Sequence, residues 1–117
     1  MTVGWKLDAK CREELLAAYP PRYTCSVADH VTLSVFGKEA PQPVDAAFII
    51  ARVDDDLGVE AFIVSIAGST ARPDGGTWHI TWSLADGRAA RESNDVIASK
   101  PWAPMPAMAL SLYPAHW

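Results

Sequence analysis

Two short stretches of the chain, Asp29–Val35 (DHVTLSV) and Trp78–Leu84 (WHITWSL), carry one order of residue types: histidine, apolar, threonine, apolar, serine, apolar. The chain has three histidines, and two of them stand in this frame. Strict polar/apolar alternation is the pattern of a β-strand, in which every second side chain shares a face and same-face neighbours lie roughly 7 Å apart. Each stretch therefore presents an imidazole and a threonine hydroxyl on one side. If the two strands lie close, His30, Thr32, His79 and Thr81 converge on one small pocket.

Such a set suits a phosphodiester. Hydroxyls donate to the non-bridging oxygens, while one histidine takes a proton from the nucleophile and the other supplies one to the leaving oxygen. Imidazole fits because its ordinary pKa, about 6.5, lets one copy be neutral and the other charged near pH 7. A pair of carboxylates would repel the phosphate. Threonine serves twice, its β-branch favouring the strand and its hydroxyl reaching the ligand. A lone strand histidine is more simply a solvated or satisfied residue, and His-x-Thr alone arises by chance. The repetition of the frame in a histidine-poor chain favours a site.

The segments His30-Val31-Thr32-Leu33 and His79-Ile80-Thr81-Trp82 resemble the paired signature of the two-histidine (2H) phosphoesterase superfamily, which includes 2'-5' RNA ligase-like and cyclic phosphodiesterase proteins. The resemblance implies an α+β fold with antiparallel sheets flanking a groove. It implies catalysis without metal or cofactor on a nucleotide or RNA-end phosphodiester, such as a 2',3'-cyclic phosphate. It also implies that His79 is the base that activates water, that His30 is the acid that protonates the leaving ribose oxygen, and that Thr32 and Thr81 hold the phosphate. Beyond the motifs the resemblance extends to strand-like character between them and to the lead-in PPRYTCSVADHVTL. The chain is shorter than family members commonly are, so a trimmed and more open groove is expected. The alternative is a non-catalytic module that binds a nucleotide or RNA end in the same pocket. A domain with coincidental histidines would place the motifs on opposite sides of its sheet.

Other conspicuous residues have plainer readings. Trp78 and Trp82 share the face opposite the histidines and are expected in the core. Tyr23, Phe36, Trp5 and Trp102 are the aromatic candidates for stacking on a base, although nothing in the sequence sets any of them at a groove. Arg72 and Lys38 flank the motif strands; either could add charge to a phosphate site, with a solvated surface role the simpler reading. His116 lacks a threonine partner and reads as incidental. The acids of DDDLG lack the ligand spacing and closing glutamate of an EF-hand and read as a hairpin turn. No compact cluster has metal-ligand spacing.

These side chains need elements to position them. LDAKCREELLAAY has the apolar period of an amphipathic helix, capped by Asp8 and ended by Pro20-Pro21. Val27–Phe36 alternates as a strand with Val31, Leu33 and Val35 on one face. AAFIIARV and VEAFIVSIA, joined by DDDLG, read as a hairpin. Thr77 to Leu84 is a further alternating strand, ESNDVIAS a short helical turn capped by Ser93 or Asn94, and AMALSLY a last strand. One or two helices and four or five strands, without βαβ alternation, indicate an α+β fold with a largely antiparallel sheet.

At 117 residues the chain suits a single domain spanning 1–117, with half its residues hydrophobic and 21% charged, as in ordinary globular proteins. A net charge of −4, with scattered basic residues, argues against a partner bound by neutralising a duplex backbone, so duplex DNA is not expected. No apolar stretch is long enough to cross a bilayer and the N-terminus lacks a signal-peptide core, so a cytoplasmic monomer is expected, without membrane association. In that compartment Cys11 and Cys25 are expected as thiols.

Overall fold

The computed structural model describes all 117 residues. In chain order the elements are β1 (Val3–Leu7), α1 (Ala9–Ala18), β2 (Cys25–Ser26), β3 (His30–Ser34), β4 (Ala47–Asp54), β5 (Val59–Ile66), β6 (His79–Leu84), a 3-10 turn (Ala90–Glu92), α2 (Ser93–Ser99), β7 (Ala103–Ala109) and β8 (Leu112–His116). They build an α+β domain of two antiparallel sheets, one ordered β3-β1-β8 and the other β2-β6-β5-β4-β7. No helix is long and apolar enough to cross a membrane.

Local chemistry explains most of these boundaries. The Asp8 carboxylate accepts from the Cys11 amide at 3.2 Å and caps α1, and prolines 20 and 21, which have no amide hydrogen to give, follow its last turn. The β4–β5 hairpin closes on the acids: Asp55 Oδ1 accepts from the Leu57 and Val59 amides at 2.8 and 3.0 Å, and Gly58 takes a left-handed φ of 116°.

Where an unbroken strand was expected over Val27–Phe36, the chain changes sheets. Cys25 and Ser26 pair with β6, and the Val27 and Ala28 amides still donate to the carbonyls of Trp82 and Thr81. At Ala28 the backbone turns into a left-handed φ of 42°, and from Asp29 onward the chain bonds to β1. Arg12 on α1 clasps the joint, donating to the carbonyls of Ala28 (2.7 Å) and Val27 (3.2 Å). The consequence is geometric: β3 leaves the sheet of β6 but stays beside it.

Two buried clusters hold the layers. One joins Trp5 and Leu7, Leu15 of α1, Val31 of β3, Phe62, Trp78, Ile80 and Trp82. The other seats Val96 and Ile97 of α2 on Ala51, Val53, Val59, Ala61, Ile63 and Leu84. Trp78 and Trp82 thus lie in the core, as the alternation requires, and Trp82 donates its indole N–H to the Tyr19 carbonyl at 2.9 Å.

Three expectations are corrected. Leu7 belongs to β1, so α1 begins after it. Neither Ser93 nor Asn94 caps α2: the Ser93 hydroxyl turns to Thr81, and the Asn94 amide donates to the Arg91 carbonyl. The C-terminal segment forms two strands in different sheets, broken at Leu110 and Ser111, which brings the total to eight strands.

Candidate functional site

Strand register decides which way the polar face of β6 turns. His79 pairs with Ile63 and Thr81 with Ala61, and those partners pack under α2. His79 and Thr81 therefore face the α2 side, while Ile80 and Trp82 enter the opposite core. On β3, Val31 takes the core and His30 and Thr32 face away from it. Because β3 runs beside β6, all four polar residues line one cleft of about 600 Å³. Thr2, Ser34, Arg72, Asp74, Arg91 and Asn94 add polar groups to the wall, and Leu33, Val35, Phe36 and Trp117 add an apolar one. The two motifs do not fall on opposite sides of the molecule.

Each histidine is held through one ring nitrogen. Nδ1 of His79 lies 2.8 Å from the Thr77 carbonyl, which can only accept, so Nδ1 carries the hydrogen. Nδ1 of His30 lies 3.0 Å from Asp29 Oδ2 and donates to it in the same way. In both rings Nε2 has no hydrogen-bond partner within the protein.

The two environments differ. His79 is only 9% exposed, and burial, the largest influence, pulls its pKa below the ordinary histidine value; the charges of Arg72 and His30 act in the same direction, while the Thr77 hydrogen bond and Asp74 oppose. His79 is therefore neutral at pH 7. His30 is half-buried and packs its ring against Trp117, centroids 4.5 Å apart. Lys6 stands over the same indole and pairs with Asp29 at 3.4 Å. Burial raises the Asp29 carboxyl, but the hydrogen bond from His30 and the Lys6 charge outweigh it and hold the group ionised.

The hydroxyls are not equivalent. Thr32 is half-buried on the edge strand β3. Thr81 is nearly buried, its Oγ1 lying 2.8 Å from the Ser93 hydroxyl and 3.4 Å from the Ala90 carbonyl. With Ser93 as donor, Thr81 keeps its own hydrogen for the long contact to Ala90 or for a ligand in the cleft. The two motif serines part company. Ser34 lines the cleft, whereas Ser83 is fully buried, donating to Glu60 at 2.6 Å and accepting from the Tyr23 amide.

Several outlying candidates are placed by the same geometry. Phe36, 89% exposed, stands on the cleft rim. Trp5 is in the core, Tyr23 donates to Asp54, and Trp102 donates to the Ile97 carbonyl, all away from the cleft. Lys38 and His116 do not reach it, but Arg72 does, which corrects its reading as a solvated surface residue. Arg91, Asn94 and Trp117 were missed because their neighbourhood in sequence carries no motif; only the fold returns them to the histidines. Cys11 and Cys25 are free thiols, and no three His, Cys, Asp or Glu side chains are grouped as a metal site.

Comparison with protein-family models, with curated proteins and with solved structures returns no match.

Proposed function

We propose that the protein is a metal-independent phosphodiesterase of the two-histidine type, acting on 2',3'-cyclic phosphates or related RNA and nucleotide phosphodiesters. The observation that carries this reading is the convergence of His30, Thr32, His79 and Thr81, from two different sheets, on one cleft. In the reaction, Nε2 of neutral His79 takes a proton from water as the water oxygen bonds to phosphorus. The bond from phosphorus to one ribose oxygen breaks, and that oxygen receives the proton from Nε2 of charged His30. Thr32 and Thr81 donate to the non-bridging oxygens. Asp29 and the Thr77 carbonyl fix the two rings so that neither nitrogen must reorient between binding and proton transfer.

A second reading, a module that binds a nucleotide or RNA end without turning it over, is favoured by the engaged state of the Thr81 hydroxyl and the near-burial of His79. Incubation with 2',3'-cyclic mononucleotides in EDTA, followed by phosphorus NMR, separates the two. Opening to a single monophosphate regioisomer is expected. Saturable binding with no turnover selects the module, and neither binding nor turnover removes both readings.

A further inference from the structure

Arg72 is held more elaborately than a surface arginine needs to be. Its side chain is only 11% exposed, yet its one carboxylate partner, Asp74, is largely in solvent and belongs to the same loop. Nε donates to Asp74 Oδ1 at 2.8 Å and Nη2 to the amide oxygen of Asn94 on α2 at 3.2 Å. The loop is shaped around the guanidinium. The Arg72 and Gly75 amides close a turn on the Gly76 and Arg72 carbonyls, Asp74 also accepts from the Gly76 amide, and a Cβ at Gly76 would collide with Nη2. Two edges of the fork are thus tied down. No protein acceptor meets Nη1, and no buried polar side-chain atom is left unpaired, so that nitrogen is accessible to solvent; Arg72 lines both the cleft and the adjoining hollow beside Thr77 and Ile97.

We propose that Arg72 binds the anionic group of the ligand, its untied N–H groups donating to a non-bridging phosphoryl oxygen beside His79. The proposal rests on the reading of the cleft as a phosphodiester site and names a cation held in a fixed orientation there, beside the exposed Arg91 on the same wall. A guanidinium suits the task because it stays charged at every pH of interest and presents its donors in a fixed plane. Asp74 and Asn94 orient that plane without filling it.

The test uses inorganic phosphate as probe and turnover of a 2',3'-cyclic mononucleotide as a separate readout. In wild-type protein, phosphate is expected to shift the Arg72 Nε–H and Gly76 amide resonances saturably, a result that needs no variant. Arg72→Gln should weaken phosphate binding and lower kcat/KM by about ten- to a hundredfold, the usual worth of a hydrogen bond to a charged group, with Arg72→Lys between the two. Amide spectra establish that each variant is folded. Phosphate binding that is equal in wild type and Arg72→Gln, or absent from wild type, overturns the proposal. Turnover undiminished in Arg72→Gln also overturns it while leaving the histidine reading in place. Arg72-dependent phosphate binding by a wild type that turns over nothing sustains the proposal and removes the catalytic reading.

Discussion

Nδ1 of His79 donates to the carbonyl of Thr77, two residues earlier on the same chain, at 2.8 Å. That bond leaves Nε2 as the basic nitrogen, and burial keeps it unprotonated near neutrality.

A buried neutral histidine makes stability depend on pH in a definite direction. With its folded pKa lowered, His79 binds fewer protons in the folded than in the unfolded chain as pH falls below about 6.5, so stability is full above that value and declines below it. The depressed carboxyls of Asp29, Asp54 and Asp55 add their losses at lower pH. The melting temperature of wild type is expected to fall between pH 7.5 and about 5.5, and that of a His79→Gln variant to fall less. Parallel curves would show that His79 is not the group responsible.

The pH dependence of turnover follows from the same asymmetry. A base that must be neutral and an acid that must be charged give a bell, with limbs that belong to the coupled pair. Replacing His79 is expected to remove the acidic limb at low residual rate, and replacing His30 the alkaline limb. Loss of the alkaline limb in His79→Ala would reverse the two roles, and a wild-type profile flat from about pH 5 to 9 would exclude both rings as proton carriers.

Thr81 and Ser93 share a buried hydrogen bond, and Ser93 is wholly inaccessible. Removing either hydroxyl breaks this bond, a loss of about 1–3 kcal/mol, and Thr81→Val also leaves the buried Ser93 hydroxyl without its partner. Chemical denaturation of Ser93→Ala and Thr81→Val should show this loss. Thr32→Val, on a half-exposed edge position, should stay within about 0.5 kcal/mol of wild type while lowering turnover. Equal stability losses at positions 32 and 81 would contradict the distinction drawn between the two threonines.

Gly4 lets β1 and β3 approach closely: it pairs with Thr32, and an added Cβ would fall well inside contact distance of the Val31 carbonyl oxygen. The neighbour is backbone and can yield only by moving the strand that carries His30. Gly4→Ala is expected to cost about 2–3 kcal/mol by denaturant titration and to reduce turnover even where the protein remains folded. A fully active, equally stable variant would show that β3 tolerates displacement.

Much of this arrangement is legible in the sequence, because alternation sorts the faces of β3 and β6 and puts Val31, Ile80 and Trp82 opposite the histidines. The hairpin and the capped helix are equally plain. β1 is not, since five residues that include a glycine and a lysine and run straight into a helix cap show no period of their own. The change of sheet at Ala28 depends on tertiary hydrogen bonds to Thr81 and Trp82, and alternation simply continues across it. β7 is masked by Pro104 and Pro106, which read as loop but are tolerated on the outer strand of the sheet. Alternation also puts Ser83 on the face of His79 without revealing that Glu60 and Tyr23 enclose it. Arg72, Arg91, Asn94 and Trp117 reach the cleft from loop, turn, helix and terminus, where no periodicity ties them to His30 or His79.

The most direct test of the two-histidine account is kcat/KM for one 2',3'-cyclic mononucleotide, measured in EDTA on wild type, His30→Ala, His79→Ala and the double variant. The account predicts that each single variant loses about a hundredfold or more. It also predicts that the double variant loses little beyond either single one, because the two rings serve one proton-transfer sequence. A folded single variant that retains the wild-type rate would contradict it.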